Sequence, residues 1–428
     1  MFWLIETQEQ FEEFKHHVGR EVFALPVNKH PEIHPAIFAP LSLYVRNLDQ
    51  NQDRGFLINF SHPEALTFDH LQVKHLLSSL GKIYTPDKKA FSHFYFGQNV
   101  LDLGIGFNIE VPAGKTQQFY AQKYYTDPDL NSIIPIVKHY EHCEEIYQSY
   151  KSAINKYEYS QYNQDISDVF WFIERNGLKV NSAFEKYFTL ERPFLSQYNT
   201  WIFTQYNLNT LTGRPSNAFN TVNFAALNKD NGCRSVFIPR NDFLLEVDLT
   251  AYHPTLISKL VGYNSPTGDI YEDFAKEFGM DRAEAKNLVF RQLYGNIYNQ
   301  YENFEFFKLT KEYISELWKK FNGDGYIEKI ISKGKFKRDS LENMNPQKLF
   351  NYLIQSYETE NNVQILKEIL TILNGKKSKV ILYTYDAILI DVSGEDKAEI
   401  KEALKVFEDN NLKVKLTYGK DYNSLTAL

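Results

Sequence analysis

Cysteine is nearly absent: the 428 residues hold two, Cys143 and Cys233. They lie far apart and form no Cys-x-x-Cys pair, which argues against a disulfide framework or a thiolate zinc site and leaves both expected as buried small hydrophobes. No uninterrupted apolar run of about 18 residues occurs, so a membrane-spanning helix is excluded. The opening Met1-Phe2-Trp3-Leu4-Ile5 gives way at once to Glu6, Glu9, Glu12 and Glu13. That is not a signal peptide, and the expected location is cytoplasmic, with no membrane partner. A basic excess is missing too: 47 Lys and Arg against 54 Asp and Glu give a formal net charge of −7. This argues against a surface coated in positive charge for indiscriminate nucleic-acid binding and leaves room for a basic cleft. No repeat of 20–50 residues and no low-complexity tract is present, so solenoids and arrays are excluded.

What is present is ordinary globular composition, 43% hydrophobic and 24% charged, in a chain long enough for roughly three domains at about 150 residues each. Aromatic residues reach 15%, with 33 Phe and 29 Tyr. They suit either stacking on bases or aromatic-rich cores.

Organisation follows from pattern shifts. Over 1–150, short apolar runs at 22–25, 41–45 and 55–60 alternate with helix-like stretches such as 70–80, which predicts an α/β domain. Residues 157–165, rich in Tyr, Gln, Asn and Ser, read as a linker. A helix follows through 170–175 and stops at Asn176-Gly177, and a shorter one covers 182–188. Strand patterns return at 200–204 and 243–248, helical patterns fill 254–322, and strands at 379–385, 387–392 and 412–418 close the chain around a helix at 395–410. Strands, a helical insertion and further strands describe an α+β sheet platform carrying a helical subdomain.

Four constellations carry chemistry. In Glu246-Val247-Asp248-Leu249-Thr250-Ala251-Tyr252-His253-Pro254 an apolar strand delivers Asp248 at its exit, a pattern that purely structural strands also show. In Val380-Ile381-Leu382-Tyr383-Thr384-Tyr385-Asp386-Ala387-Ile388-Leu389-Ile390 two apolar strands flank Asp386 at a tight hairpin with no Gly or Asn to loosen it. A charge held there wants a partner, and Mg²⁺ is one. Two carboxylates from separate strands fit a two-metal phosphoryl-transfer centre. Third, Arg282, Lys286, Phe290 and Tyr294 recur every fourth residue and form on a helix a stripe about 18 Å long. Two cations and two aromatics on one face suit a nucleoside triphosphate, phosphates on the cations and base against a ring. The plainer reading is a solvated cationic face running into a buried aromatic end. Fourth, Thr212-Gly213-Arg214 and the later Arg234-Ser235-Val236-Phe237 offer backbone-phosphate contacts or ordinary turns.

Taken together and in this order, these segments resemble the polymerase domain of family A DNA polymerases, over about residues 165–428. Thr212-Gly213-Arg214 matches the family's primer-template contact motif, and Arg234 to Phe237 its Arg-x-x-Phe. Asp248 matches the metal-binding Asp of motif A. Arg282, Lys286, Phe290, Tyr294 and Gly295 match the fixed positions of motif B, the fingers helix that binds the incoming dNTP. Asn351 and Gln355 fit the family's Asn-x-x-x-Gln, and Asp386 matches the metal Asp of motif C.

The resemblance implies a right-hand polymerase fold: linker and reduced thumb over 151–197, a palm built on an antiparallel sheet over 198–260 and 336–428, and helical fingers over 261–335. It implies nucleotidyl transfer with two Mg²⁺, or Mn²⁺ as substitute, on Asp248, Asp386 and the backbone carbonyl of Leu249. Arg282 and Lys286 are expected on the triphosphate, Lys286 also to protonate the leaving pyrophosphate. Phe290 is expected to stack on the incoming base, with Tyr252, His253 and Tyr294 around the nucleotide. Thr212, Arg214, Arg234, Gly295, Asn351, Gln355 and Tyr385 are expected on DNA. The implied partners are primer-template DNA, dNTPs and an accessory or processivity protein.

The sequence also departs from the family. His253 stands where motif A usually carries a Glu that gates against the ribose 2′-OH, and motif C reads Tyr385-Asp386-Ala387 rather than His-Asp-Glu. The stretch from Gly177 to Arg214 is too short for the family's pair of long thumb helices, which implies low processivity or a partner that supplies the grip. Residues 1–150 resemble the α/β, RNase H-like 3′-5′ exonuclease domain, with Pro26-Val27-Asn28 in place of Asp-x-Glu and Tyr140-Glu141-His142-Cys143-Glu144 resembling the third exonuclease motif with Glu for Asp. Stripped of its first two carboxylates, such a site is expected to be an inactive scaffold without proofreading. The reduced architecture is similar to that of phage or other mobile replicons. Two other readings stand beside this one: a single-subunit RNA polymerase or primer-making enzyme on the same platform, and a catalytically silent primer-template-binding replication factor. The run Lys333, Lys335, Lys337 and Arg338 either tracks phosphates or is a solvated face.

Overall fold

Alternation along three neighbouring strands explains the N-terminal sheet. The computed structural model describes residues 3–28, 34–37, 39–48, 54–107, 135–188, 195–196, 200–217 and 221–428, and divides into two compact units, 1–209 with 217–222 and 210–216 with 223–428. In the first unit β1 (Trp3–Ile5), β2 (Glu21–Val27), β3 (Ser42–Asn47), β4 (Gly55–Asn59), β5 (Lys82–Thr85) and β6 (Val100–Asp102) form one sheet in the order β1-β4-β3-β2-β5-β6. β2, β3 and β4 make an antiparallel meander, and β5 and β6 extend it in parallel from β2.

Successive side chains on a strand point to opposite faces, and here both faces are covered. Val22, Ala24, Leu43, Val45, Phe56 and Ile58 meet α1 (Gln8–His17), α2 (His70–Ser79) and α3 (Lys88–Ser92) on one side. Phe23, Tyr44 and Leu57 meet α4 (Ile136–Asn155) on the other. α4 docks through Tyr140, Cys143, Tyr147 and Tyr150, spaced by three or four residues so that they share one helix face. Cys143 and Cys233 are both buried, in accord with their reading as small hydrophobes.

α5 (Gln161–Asn176) begins earlier than expected. The Tyr/Gln/Asn/Ser stretch at 157–165 is not all linker: Ser160 caps the helix by accepting from the amide of Asn163, and the polar residues after it form the first turn. α6 (Phe184–Tyr187) and the short antiparallel pair β7 (Leu178–Val180) and β8 (Trp201–Ile202) follow. Residues 108–134, within the stretch expected to be exonuclease-like, 189–194 and 197, within the expected linker and thumb, and 198–199, at the start of the expected palm, lie outside the described residues.

The second unit centres on β9 (Phe243–Leu249), β12 (Lys379–Tyr383), β13 (Ala387–Val392), β14 (Val414–Gly419) and β15 (Thr426–Ala427), antiparallel in the order β12-β13-β9-β14-β15. Between β9 and β12 the chain inserts α7 (Tyr252–Val261), α8 (Ile270–Phe278), α9 (Arg282–Tyr294), α10 (Glu305–Asp324), a hairpin of β10 (Tyr326–Glu328) and β11 (Lys335–Lys337), and α11 (Pro346–Ile372). α12 (Lys397–Asp409) joins β13 to β14. The helical stretch 254–322 is thus several helices, because Gly262 and Gly279 end α7 and α8 with positive φ of 71° and 64°, and Asp269 and Asp281 cap the next starts.

Most aromatics of the insertion serve packing: Tyr263, Phe274, Tyr301, Phe304, Phe306 and Phe307 form one buried cluster. Among the described residues no helix is long and apolar enough to cross a membrane.

Candidate active site

The register of β9 decides where its carboxylate goes. Asp248, one residue from the strand's end, pairs with Ala387 of β13 on one side and Lys415 of β14 on the other. Asp386 is the residue before Ala387, so both carboxylates emerge at one end of the sheet. The amide of Leu249 donates to the carbonyl of Asp386 at 2.8 Å and fastens the two segments together.

The expected strand 379–385 ends at Tyr383, and Thr384 to Asp386 make the turn, closed by the amide of Thr384 donating to the carbonyl of Ala387 at 2.8 Å. Two residues here hold left-handed backbone without being glycine: Ala251, after Asp248, at φ 51°, and Tyr385, before Asp386, at φ 67°. Such conformations cost on the order of 1 kcal/mol each. Tyr385 is held there by Asn362, whose Nδ2 donates to its carbonyl at 2.8 Å.

Asp248 and Asp386 both reach solvent, yet both titrate above the ordinary aspartate range. Enclosure by protein is the main cause for each, reinforced by the charge of Asp386 for Asp248 and by that of Glu358 for Asp386. Arg214 and His253 offset part of this at Asp386. A pair of strand-end carboxylates left short of positive charge is the donor set that Mg²⁺ or Mn²⁺ takes, so these residues fit a divalent cation.

The stripe on α9 is sorted as its spacing requires. Ala285, Val289, Gln292 and Leu293 are buried, while Arg282, Lys286 and Phe290 lie on the exposed side, Phe290 at 47%. The Phe290 and Tyr294 rings are 4.6 Å apart. Tyr294 hydrogen-bonds through its hydroxyl to His253 Nδ1, so the C-terminal end of α9 meets the start of α7. Arg282 is engaged by Asp269, donating from Nε and Nη2 to Oδ2 at 3.1 and 2.6 Å. Gly295 ends α9 where a Cβ would stand 2.7 Å from the carbonyl of Arg291, so this position admits no side chain without a shift.

The Thr212-Gly213-Arg214 loop braces itself. Thr210 Oγ1 donates to the carbonyl of Arg214 at 2.7 Å, and the buried Thr212 hydroxyl accepts from the Arg214 amide at 3.4 Å. The guanidinium of Arg214 lies 3.8 Å from the centre of the Tyr385 ring. Arg234 turns inward: Nε and Nη2 donate to the carbonyl of Leu227 at 3.2 and 2.8 Å, and the group sits over the Tyr422 ring at 4.8 Å. Asn351 and Gln355 occupy α11 half-buried.

Two residues of α11 escaped the sequence reading. Glu358 and Asn362 continue the face of Asn351 and Gln355 at spacings of three and four, and both are buried. Asn362 accepts from Tyr252 at 2.6 Å and donates to Tyr383 at 3.0 Å. The signal was a polar row along a helix otherwise rich in Leu and Ile.

The first unit holds two other groups of interest. Glu144, the residue that resembles the third exonuclease motif, accepts from Arg46 and from the Tyr44 hydroxyl. Its charge is matched by a guanidinium rather than left for a metal. Among the described residues, the metal-capable side chains that gather in a group of three are His34, His93 and Glu174, with ligand atoms within 4.8 Å of one another. Lys89 Nζ and the Tyr206 amide already donate to Glu174 Oε1, at 2.7 and 2.6 Å. His34 Nδ1 accepts from the Ala36 amide at 3.1 Å, which puts its proton on Nε2, 2.9 Å from the Thr204 carbonyl. Nε2 therefore carries a hydrogen rather than a lone pair, and the group does not fit a metal.

No family model and no curated protein matches the chain. Its fold is similar to that of a solved structure, the POL domain of Pol1 from M. smegmatis in complex with DNA primer-template and dNTP, at a TM-score of 0.72 and 13% identity, over 99% of this chain and 100% of that one. The chain shares the fold of that POL domain. At that identity the likeness is one of fold, and the roles of individual side chains rest on the geometry above.

Proposed function

We propose that the chain is a template-directed DNA polymerase of the family A kind, adding dNTPs to a primer 3′-OH. The observation that carries this is the pairing of Asp248 with Ala387, which brings Asp386 beside Asp248 at the end of an antiparallel sheet. The fold likeness to a polymerase domain solved with primer-template and dNTP supports it, as does the exposure of Arg282, Lys286 and Phe290 along one face of α9. In this reading the five-stranded sheet is the palm and α8 to α10 are the fingers. The meander extended by parallel strands at both edges is the degenerate exonuclease-type domain, a scaffold whose Glu144 is neutralised by Arg46.

Asp248 and Asp386, with the carbonyl of Leu249, would hold divalent cations, Mg²⁺ or Mn²⁺. Bound there, they supply charge stabilisation to the attacking and leaving oxygens of an in-line phosphoryl transfer. Lys286 and Arg282 neutralise the triphosphate, and Lys286 delivers a proton to the pyrophosphate oxygen as it leaves. Phe290 stacks on the incoming base, and Tyr294 and Gly295 shape the pocket for the templating base. Tyr252 and His253 border the nucleotide. Arg214, Thr212, Tyr385, Asn351 and Gln355 position the duplex, while Arg234 contributes by holding the Tyr422 segment. The short stretch between Gly177 and Arg214 supports weak grip and an accessory partner. A phage or mobile-element replicon in a bacterial cytoplasm accords with so short a stretch there.

Extension of a labelled primer on a DNA template with Mg²⁺ tests this. Extension with dNTPs that Asp386→Ala abolishes is the expected result. Preferential extension with rNTPs would point to an RNA polymerase or primer-making enzyme, and tight primer-template binding without extension to a silent replication factor. Product lengths under single-hit conditions test the grip, and long products from the chain alone would count against it.

A further inference from the structure

The turn of the β10–β11 hairpin is tied to the long helix α11. The amides of Ile331 and Ser332 donate to Glu360 at 2.8 and 3.2 Å, and the Ser332 hydroxyl donates to the same carboxylate. Glu360 is buried, so three donors from the turn satisfy a charge that water does not reach. The turn is thereby fixed, and with it Lys329, the residue that leaves β10.

Lys329 lies across this hairpin rather than out into solvent. Its amide donates to the carbonyl of Gly334 at 2.7 Å. A Cβ on Gly334 would stand 3.4 Å from Lys329 Cδ, so the stem passes over that glycine. Nζ sits 5.2 Å from the centre of the buried Phe336 ring and 3.2 Å from where a Cβ on Gly213 would stand. The stem therefore carries the ammonium to the Thr212-Gly213-Arg214 loop. Gly213, at φ 78°, has the left-handed backbone that glycine takes without strain, and it lacks the Cβ that would crowd this ammonium.

The two cations at this loop differ in what they face. Arg214 Nη2 donates to the buried Glu358 at 3.3 Å, and its guanidinium lies over the Tyr385 ring. Lys329 Nζ, among the described residues, forms no hydrogen bond and no ion pair. Enclosure pulls its pKa below the ordinary lysine range, and the charge of Glu360, already occupied by the turn, offsets only part of this. An ammonium that has lost water and gained no carboxylate favours an anion arriving from outside. The exposed lysines of the hairpin are placed differently: Lys333 Nζ donates to the Ile330 carbonyl at 2.8 Å, and Lys335 Nζ stands 4.1 Å from the centre of the Tyr326 ring.

Resting on the polymerase reading, we propose that Lys329 is a DNA-binding residue that takes a backbone phosphate of the primer-template beside Gly213. An ammonium acts there as a point charge, so the contact positions the strand without reading its sequence. Part of the grip that the short stretch from Gly177 to Arg214 does not supply then comes from this hairpin, through its enclosed lysine rather than its exposed ones.

The test is fluorescence anisotropy of a labelled primer-template in EDTA, titrated with the full chain over a series of KCl concentrations. It compares the wild type, Lys329→Gln and Lys401→Gln, which removes the same charge from an exposed position on α12. Lys329→Gln is expected to bind about 10-fold more weakly at low salt, equally for two primer-templates of different sequence. The slope of log Kd against log salt is expected to shrink by about 1, the share of one phosphate. Lys401→Gln is expected to keep the wild-type slope. Thermal melting without DNA is expected to be no lower in Lys329→Gln, because the charge it removes is unmatched. A slope unmoved by Lys329→Gln in a chain that binds primer-template overturns this inference alone, and a lower melting temperature beside it would make Lys329 a structural residue. An equal loss of slope in Lys401→Gln also overturns it, since that marks the general field of the protein. A wild-type chain that binds no primer-template overturns the polymerase reading and this contact with it.

Discussion

Arg282 donates from Nε and Nη2 to Oδ2 of Asp269, at 3.1 and 2.6 Å, while Oδ1 of the same carboxylate caps α8 through the Tyr271 amide at 2.8 Å. The cation expected on a triphosphate is therefore already paired, and a nucleotide must compete with Asp269 for it. Asp269→Asn keeps a good helix cap and removes the competing charge. We expect KM for dNTPs to fall about 2- to 5-fold, the worth of a partly exposed ion pair. Steady-state insertion kinetics measure it, and a rise in KM would mean instead that Asp269 orients Arg282 for binding.

Asp248 and Asp386 titrate above the ordinary aspartate range. A carboxyl whose pKa is raised on folding costs stability at neutral pH, and that cost is relieved as pH falls through the raised value. Asp386→Asn removes the charge permanently. It is expected to be inactive in primer extension and yet to melt on the order of 1 °C higher than the wild type at pH 7 in EDTA. Mg²⁺ should raise the melting temperature of the wild type and not of the variant. A variant that melts lower in EDTA would show that Asp386 stabilises the fold rather than burdening it.

How much of this was legible in the sequence depends on which interactions fix each part. Strand alternation at Val22-Phe23-Ala24 and the four-residue stripe from Arg282 to Tyr294 are local, and periodicity reads them directly. Asp248 and Asp386 were legible because each breaks an apolar strand pattern. The pairing that sets Asp248 opposite Ala387 is a register across 139 positions of chain, and only the fold reveals it. Glu358 was legible only as one member of a polar row on a long helix: its neighbours Arg214 and His253 precede it by more than 100 residues, and only the fold brings them to it. The linker at 157–165 misled because polar composition hid the Ser160 cap that starts α5.

His34 and His93 are held neutral by burial, which lowers both to about 3. A histidine whose pKa is depressed on folding leaves stability untouched at neutral pH. Stability is lost once pH drops below about 6.5, where the unfolded chain takes up the proton that the folded state refuses. Each contributes a loss of up to about 1.4 kcal/mol per pH unit, continuing down to the folded value. Melting of the first unit is therefore expected to fall steeply between pH 6 and pH 4, and His93→Phe to flatten the slope. A slope unchanged in that variant would assign the acid sensitivity to other groups.

Glu144 is the residue on which the scaffold reading of the first unit turns. It accepts from Arg46 Nη1 and the Tyr44 hydroxyl, and the Arg46 side chain is only 11% exposed. Removing the carboxylate charge deprives that largely buried guanidinium of this counter-charge, at a cost of about 1–3 kcal/mol. Glu144→Gln is accordingly expected to lower the melting temperature by about 5 °C. Neither the wild type nor the variant should degrade a single-stranded 3′ end with Mg²⁺ or Mn²⁺. Both outcomes come from one preparation, by melting and by a labelled 3′-end assay. Metal-dependent degradation by the wild type that Glu144→Gln abolishes would make Glu144 a working metal ligand, released from Arg46 when DNA binds, and would return proofreading to this chain.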